Sequence, residues 1–205
     1  MPDETIAAFL GRLAERTAAP AGGATAALNA AQAAALLAMT ARFCDGPKHA
    51  AHAGTVARFV AEADRLRDVC LALIAADGKS YGGVMAAYKL PKDTEEQRSA
   101  RSAAISAALI TAAVPPAEVI AAAARLLELA ETLEPMMNNS IAPDVAAAVE
   151  SLKAAIATSR TNVEANLSGI ADQRARDRLT GIIATVPALE SQAAQLIATV
   201  RARYT

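Results

Sequence analysis

The first residue whose position suggests chemistry is Asp77, because it continues an apolar helical stripe. Apolar side chains recur in steps of three and four residues, the spacing of one helical face, at Val56, Phe59, Val60, Ala63, Leu66, Cys70 and Leu73. A carboxylate on a buried face is costly unless it has partners, and burial shifts its pKa towards the range that proton transfer needs. The pattern makes Asp77 a candidate general acid or base, unless the stripe reaches solvent where Gly78 and Lys79 follow.

Two asparagines form the second candidate group. Asn162 and Asn166 are one helical turn apart, so both amides lie on one face of a helix. Each amide can donate and accept hydrogen bonds, which suits recognition of a ligand with alternating donors and acceptors. The same pair is equally suited to capping the end of its helix or to linking neighbouring helices. Asp144 follows Pro143 near the start of that helix, where a carboxylate complements the helix dipole without any further role.

Gly22 and Gly23 precede an apolar run, so backbone N–H groups at a helix start can face an anion or a polar ring. A plain tight turn accounts for the same pair, and no strand precedes it as a dinucleotide-binding loop would require. His49 and His52 are three residues apart, but no cysteine or acidic residue completes a recognisable metal-binding set. We therefore predict no metal site.

Helical periodicity and turn residues divide the chain into helices with short linkers. The first three predicted helices cover residues 3–16, 22–43 and 49–88, the last of these with a loosening at Gly82-Gly83. A fourth helix begins near residue 94, and Pro115-Pro116 kinks or splits it. A fifth helix ends near residue 166, and the last covers residues 172–203. No segment alternates apolar and polar residues as a half-buried strand does. Short linkers favour antiparallel neighbours. The sequence predicts one domain over residues 1–205, an all-α antiparallel multi-helix bundle.

Composition limits the partners. Hydrophobic residues make up 54% of the chain and aromatic residues only 3%. Alanine side chains are short and bury little apolar area, so association of two chains would add buried area to the core. We predict a homodimer. A net charge of −1 argues against nucleic-acid binding. Residues 17–41 carry no charge, but they are rich in alanine rather than leucine and include Asn29 and Gln32. We predict burial in the protein or its dimer, no membrane insertion, and, without a signal-peptide pattern, a cytoplasmic location.

Taken together, several segments resemble the cyclodeaminase/methenyltetrahydrofolate cyclohydrolase family. That family includes stand-alone bacterial enzymes and the C-terminal domain of formiminotransferase-cyclodeaminase. The resemblance lies in the order of five segments: PAGGATAA at 20–27, DGKSY at 77–81, AYKLPK at 87–92, Asn138 with Asp144, and NVEANL at 162–167. It covers nearly the whole chain.

The resemblance implies chemistry at the carbon between N5 and N10 of tetrahydrofolate. A cyclodeaminase closes the 5,10-methenyl ring and expels ammonia, and a cyclohydrolase opens that ring with water. The folate carries the one-carbon unit, so no metal or other cofactor is expected. The implied catalytic residues are Asp77 and Asp144, and the implied substrate-binding residues are Gly22, Gly23, Lys48, Lys89, Asn138, Asn162 and Asn166. Within that set, Asp77 is the proton-transfer group, the asparagines hold the pterin, and Lys48 or Lys89 meets the glutamate carboxylates.

The chain departs from the family pattern at three places, and two of them, Pro143 and the reduced basic segment at Lys48, motivate an alternative. Pro143 stands where the pattern has serine, Tyr81 stands where phenylalanine is usual, and the basic residues common in the first long loop are reduced to Lys48. The alternative is a non-catalytic folate-binding or scaffold bundle that kept the fold and lost the reaction.

Helix geometry separates two of the implied site residues. Asp144 and Asn162 are eighteen residues apart, which is roughly 27 Å along a straight helix. They cannot both touch one small centre from one unbroken helix. Either the helix breaks, or the two residues serve opposite ends of a folate, or one of them belongs to the site of a second subunit.

Overall fold

The computed structural model describes residues 4–44 and 53–204, and all regular structure in these ranges is helical. The helices are α1 (Ile6–Leu13), α2 (Gly22–Phe43), α3 (Ala53–Tyr88), α4 (Glu95–Ala112), α5 (Val114–Leu133), α6 (Ala142–Leu167) and α7 (Gln173–Arg201), with a short 3₁₀ helix at Glu134–Met136. The prediction of an all-α fold is confirmed.

Local capping explains where several helices begin. At the start of α4, the backbone N–H of Gln97 donates to Oγ1 of Thr94 at 3.2 Å, and the backbone N–H of Thr94 donates to Oε1 of Gln97 at 3.2 Å. This capping box satisfies two N–H groups that the helix itself leaves without partners. Pro115 and Pro116 lie in the first turn of α5, where proline is tolerated. The predicted split of the fourth helix is therefore confirmed.

Other predicted boundaries need correction. Residues 3–16 were predicted to be helical, but α1 covers only Ile6–Leu13. The predicted loosening at Gly82-Gly83 is wrong, because α3 continues through both glycines to Tyr88. A glycine inside a helix costs roughly 1 kcal/mol relative to alanine, and burial of Val84 and Ala87 just beyond the pair offsets that cost. The predicted start of this helix at His49 lies outside the described residues.

The central helix of the bundle is α2, which packs against α3, α5 and α6. Its buried residues are mostly alanine, and a short side chain lets neighbouring helices approach closely. Larger buried side chains are concentrated on α5 and α6, among them Leu126, Leu127, Leu133, Leu152 and Ile156. The core therefore consists of a central helix with mostly alanine side chains and neighbouring helices with larger side chains.

Among the described residues, two apolar segments are long enough to cross a membrane by length and composition alone, α2 and the segment Glu95–Met136. In the most apolar window of each, 61% and 50% of the residues are buried inside the protein. Core helices of soluble proteins pass the same test, so this composition is weak support for a membrane location. Packing inside the bundle accounts for the uncharged second helix, as the sequence predicts.

The bundle gathers distant parts of the chain at one end. The start of α2 lies beside the later halves of α3 and α6, so both neighbours run antiparallel to α2. The end of α4 and the linker between α1 and α2 reach the same place. Four helices and one linker can therefore contribute side chains to a single site.

Candidate active site

A pocket of about 390 Å³ opens where the start of α2 meets the later parts of α3, α4 and α6. It brings together five of the residues that the sequence predicts for the site: Gly22, Gly23, Asp77, Asn162 and Asn166. Its other lining residues are Thr17, Ala18, Ala21, Ser80, Tyr81, Ala112 and Ala165. Residues 140 positions apart in the chain thus face one small volume.

The carboxylate of Asp77 lies directly against the backbone of Gly23. A Cβ atom on Gly23 would be 2.5 Å from Cγ and 2.8 Å from Oδ2 of Asp77, and closer still to Oδ1. Real Cβ atoms essentially never approach other atoms within 3.0 Å. Glycine at this position therefore permits α3 to place its carboxylate on the first turn of α2.

This contact also completes the start of α2. The residue before the helix, Ala21, has no side chain that can cap it, and the backbone N–H of Ala24 donates to Asp77 instead. A carboxylate at this place accepts from a helix N–H that has no partner within the helix, and it faces the positive end of the helix dipole. Asp77 thus caps α2 from a neighbouring helix.

Burial dominates the proton affinity of Asp77. Desolvation raises the pKa of its carboxyl group above the usual aspartate value, and the hydrogen bond from Ala24 opposes that rise. No lysine or arginine within residues 4–44 and 53–204 forms an ion pair with Asp77 to hold it ionised. A half-buried carboxyl group with a raised pKa in a pocket has the properties of a general acid or base.

The two asparagines present acceptors to the pocket. Nδ2 of Asn162 donates to the carbonyl oxygen of Thr158 at 3.0 Å, and Nδ2 of Asn166 donates to the carbonyl oxygen of Asn162 at 2.9 Å. Each amide donor is thus used within α6, one turn earlier. In the part of the chain that the structure describes, no donor meets either Oδ1 atom. The predicted amide pair offers two carbonyl oxygens to N–H groups of a ligand.

Sequence reasoning did not select three polar residues that line the pocket, Thr17, Ser80 and Tyr81. Ser80 and Tyr81 lie three and four residues after Asp77, so helical spacing alone places them near the same face. The hydroxyl of Ser80 donates to the backbone carbonyl of Asp77 at 2.9 Å, and Tyr81 is 43% exposed at the rim. Thr17 comes from the linker before α2, and no periodicity predicts the path of a linker.

The structure places Asp144 away from the pocket. Asp144 lies in the first turn of α6, and that helix continues without a break to Leu167. Asp144 and Asn162 therefore stay roughly 27 Å apart, which excludes a helix break as the way to bring them together. A catalytic role for Asp144 in this pocket has no support from the geometry of one chain.

Two of the other three predicted binding residues, Asn138 and Lys89, lie away from the pocket. Asn138 is exposed, and its side-chain oxygen accepts from the backbone N–H of Ser140 at 2.9 Å and from the Ser140 hydroxyl, so it stabilises a local turn. Lys89 is exposed just beyond the end of α3. Lys48, like His49 and His52, lies outside the described residues. Roles for Asn138, Lys89 and Lys48 in substrate binding stay predictions.

Neither metal-site clusters nor reactive thiols occur in the described ranges. Residues 4–44 and 53–204 contain no group of three His, Cys, Asp or Glu side chains placed to hold a metal ion. Cys44 and Cys70 are buried and free. Burial raises the pKa of Cys70 to about 11, so its thiol stays protonated and is a poor nucleophile. Proton transfer by Asp77 is the chemistry that this part of the chain supports.

The chain is similar in sequence to known proteins. The sequence profile described as formiminotransferase-cyclodeaminase matches residues 5–184. Methenyltetrahydrofolate cyclohydrolase of Methylorubrum extorquens is 33% identical over 195 residues, which are 93% of this chain and 94% of that protein. Formimidoyltransferase-cyclodeaminase of Rattus norvegicus is 27% identical over 98% of this chain, which spans only 38% of that longer protein.

A solved structure is similar as well. The crystal structure of formiminotetrahydrofolate cyclodeaminase from Thermotoga maritima superimposes with a TM-score of 0.83 and 25% sequence identity. The match covers 98% of this chain and 96% of that one. The whole bundle, and not only the helices around the pocket, is therefore shared.

Paired alanine substitutions test the contact between Asp77 and α2. Both Gly22 and Gly23 lie in the first turn of α2, but a Cβ atom on Gly22 would be 3.8 Å from its nearest neighbour, an ordinary contact. We expect Gly23→Ala to be less stable than Gly22→Ala by about 1 kcal/mol, the usual contribution of a helix cap, because the new Cβ displaces Asp77 from Ala24. Urea denaturation measures this difference.

The same pair in an Asp77→Ala background provides the control. Without the carboxylate there is nothing for the Gly23 Cβ to displace, so both alanine variants should then have similar free energies of unfolding. A difference that persists without Asp77 would contradict the proposed cap.

Proposed function

The chain belongs to the formiminotransferase-cyclodeaminase family, and from that premise we propose that it acts on the carbon that bridges N5 and N10 of tetrahydrofolate. The observation that supports this proposal is the half-buried Asp77 carboxyl group, held on the first turn of α2 with a raised pKa in a pocket with two amide oxygens. Reactions at that carbon form and break C–O and C–N bonds, and each needs a proton moved between neighbouring atoms.

As a cyclohydrolase, the enzyme adds water to the methenyl carbon. The water oxygen bonds to that carbon while Asp77 takes one of its protons, which gives a neutral tetrahedral adduct. The bond between the carbon and N5 then breaks as Asp77 returns a proton to N5. The remaining O–H proton leaves as the formyl carbonyl forms on N10, so the overall reaction consumes water and releases one proton.

As a cyclodeaminase, the enzyme runs related chemistry with nitrogen as the leaving atom. N10 bonds to the carbon of the protonated formimidoyl group (N5–CH=NH2⁺) and gives up its proton to Asp77, and the iminium nitrogen becomes a neutral amine. Asp77 then protonates that amine, the bond between carbon and amine breaks, and ammonia leaves. The 5,10-methenyl ring is the product. One carboxyl group beside the bridging carbon can serve both reactions.

Different relatives support the two activities. We propose cyclohydrolase activity first, because the cyclohydrolase of Methylorubrum extorquens matches 93% of this chain at 33% identity and has nearly the same extent. Cyclodeaminase activity is the second candidate, because the Thermotoga maritima cyclodeaminase shares the fold over 98% of the chain.

The pterin ring of the substrate fits the polar wall of the pocket. We propose that the side-chain oxygens of Asn162 and Asn166 accept hydrogen bonds from pterin N–H groups, and that the ring of Tyr81 at the rim packs on the bound heterocycle. Both reactions proceed without a change of oxidation state, and the folate itself carries the one-carbon unit. We therefore propose that no further cofactor takes part.

The non-catalytic alternative is not favoured. It was motivated partly by Pro143, which lies in the first turn of α6, where proline is well tolerated. That position is at the end of α6 opposite to the two pocket asparagines. The substitution therefore leaves the pocket unchanged.

We also propose that two copies associate in a soluble, cytoplasmic homodimer. One face of α2 is not covered by the bundle: Gln32 and Ala35 are exposed, Leu36 and Met39 are half-buried, and Phe43 is 61% exposed. These five positions follow helical spacing and form one stripe. A second copy packing on this stripe would bury apolar surface that one chain leaves in water.

The activity is tested by absorbance of the 5,10-methenyl chromophore. With 5,10-methenyltetrahydrofolate as substrate, we expect the enzyme to accelerate loss of the chromophore above the uncatalysed rate. With 5-formimidoyltetrahydrofolate, appearance of the chromophore together with ammonia would establish cyclodeamination. Purified, folded protein that changes neither rate would refute the proposed function.

Substitution of the proton-transfer group gives a second test. We expect Asp77→Asn to lower turnover by roughly a hundredfold or more, the usual contribution of a general acid or base, because an amide cannot exchange the proton. Asn166→Asp in the same pocket keeps Asp77 and an acceptor oxygen at residue 166, so its turnover should stay above that of Asp77→Asn. Near-normal turnover in folded Asp77→Asn protein would remove Asp77 from the mechanism.

The stability of the Asp77→Asn protein should not fall together with its activity. The pKa of Asp77 is raised in the folded protein, so the folded state binds this proton more tightly than the unfolded state does. The resulting stabilisation is present below the ordinary aspartate pKa of 3.8 and is lost as the pH rises through the raised value. At neutral pH we therefore expect Asp77→Asn to melt at the same temperature as the wild-type protein or higher. Asparagine keeps an acceptor oxygen for the helix cap, so a markedly lower melting temperature would indicate that the negative charge of Asp77 stabilises the fold.

The dimer is tested on the open face of α2. Ala35→Glu places a charge in the middle of the stripe, and because Ala35 is exposed in one chain, we expect dissociation to folded monomers rather than unfolding. Light scattering after size-exclusion chromatography gives the mass. Ala154→Glu, on an exposed position of α6, is the matched control and should stay dimeric. An unchanged mass for both variants would exclude this face as the interface.

A further inference from the structure

A second cavity lies beside the pocket, on another side of α3. It has a volume of about 440 Å³ and lies between α3 and the junction of α4 and α5. Most of its wall is small or apolar, including Ala76, Gly83, Ala108 and Pro115, and its one charged lining residue is Lys79. This cavity therefore offers an apolar surface with a cation at its edge.

The two cavities share one residue, Ser80. Helical geometry places Asp77 and Lys79 about 200° apart around the axis of α3, with Ser80 between the two cavities. The Ser80 hydroxyl donates a hydrogen bond to the backbone carbonyl of Asp77. The side chain that separates the two cavities is therefore small and held against its own helix. An elongated ligand can cross this boundary without displacing a bulky group.

Lys79 is available for an anion. Its side chain is exposed, and within the ranges 4–44 and 53–204 no carboxylate forms an ion pair with it. By contrast, Lys153 on α6 is paired with Glu150 at 2.9 Å. A cation that pairs with no carboxylate of the described residues, at the rim of an apolar cavity, suits a ligand that ends in a carboxylate.

We propose that the second cavity binds the aminobenzoyl-glutamate part of the substrate and that Lys79 pairs with a glutamate carboxylate. This inference rests on the proposed function and extends it to the far end of the same ligand. A reduced folate has a polar ring system, then an aryl ring, then an anionic tail. The protein presents polar groups beside Asp77, then the small Ser80, then an apolar cavity with Lys79, in the same order.

The assignment differs from the one that the sequence implied for the glutamate. Lys89 lies ten residues after Lys79, which is roughly 15 Å along α3. It lines neither of these two cavities. Lys79 is one residue away from Ser80 and therefore adjacent to the reaction pocket, which makes it the better placed cation.

Substrates with and without the glutamate test the pairing. We expect Lys79→Met, which keeps the apolar stem and removes the charge, to raise KM for the glutamate-containing substrate by about two- to fivefold, the scale of one exposed ion pair. KM for the corresponding tetrahydropteroate, which lacks the glutamate, should not change, and kcat should stay constant for both. Lys92→Met, at an exposed lysine in the loop after α3, is the matched control. Equal effects on both substrates, or no effect, would overturn the assignment.

Binding separates this inference from the proposed function. Calorimetry with tetrahydrofolate and tetrahydropteroate measures the same glutamate selectivity without turnover. Selective weakening in Lys79→Met protein without any catalysis would support the subsite and refute the enzyme activity. Turnover by the wild-type protein without selective weakening in Lys79→Met protein would support the enzyme activity and refute the subsite. If wild-type protein binds neither ligand, the subsite is refuted as well.

Two adjacent glycines test the cavity itself. Side chains on Gly82 and Gly83 would both project into open space, with no atom within 4 Å of a new Cβ, but only Gly83 lines the second cavity. We expect Gly83→Leu to raise KM for both substrates severalfold, since both carry the aryl ring, and Gly82→Leu to leave KM unchanged. Normal KM values in folded Gly83→Leu protein would show that the ligand does not enter this cavity.

Discussion

The contact between the Asp77 carboxylate and the backbone of Gly23 connects the folding of this bundle with its chemistry. A side chain at residue 23 larger than hydrogen would occupy the place of the carboxylate. Because the carboxylate is there, it accepts the hydrogen bond from Ala24 and caps a helix whose preceding residue cannot do so. The same position takes Asp77 partly out of water and raises its pKa. Helix capping and proton affinity thus depend on one close approach of α3 to α2.

Close approach of this kind suits the composition of α2. Twelve of its residues are buried, and all of these are alanine except Gly23, Leu37 and Thr40. Short side chains bring α3 and α6 near the axis of α2, so that side chains from both reach its first turn. The apolar area that alanine does not supply comes from leucine, isoleucine and valine on α5 and α6. A site with a desolvated carboxylate is costly, and this surrounding core offsets that cost.

The two reactions associated with the family place similar demands on such a site. Both pass through a tetrahedral carbon, and in both a proton must travel between two atoms bonded to it. A single carboxyl group can make that transfer if its pKa is near the working pH. The amide oxygens of Asn162 and Asn166 are fixed because their amide nitrogens bond to carbonyl groups of α6. The site therefore holds its acceptors rigid, and no lysine or arginine among residues 4–44 and 53–204 forms an ion pair with Asp77.

Local sequence determined the helices and their order. The apolar spacing of α3 placed Asp77 on the inner face, the glycine pair marked the start of α2, Pro115 and Pro116 marked the start of α5, and one-turn spacing placed Asn162 and Asn166 together. These features depend on neighbouring residues alone. Tertiary structure decided that Asp77 meets Gly23, that Thr17 reaches the pocket, and that Asp144 stays at the far end of an unbroken α6. It also decided that Lys79, and not Lys89, lines a cavity between α3 and the junction of α4 and α5. Such contacts depend on the angles at which helices cross and on the small side chains that let two helices approach each other. Helical periodicity specifies on which face of its helix a residue lies, but it does not specify which neighbouring helix packs against that face.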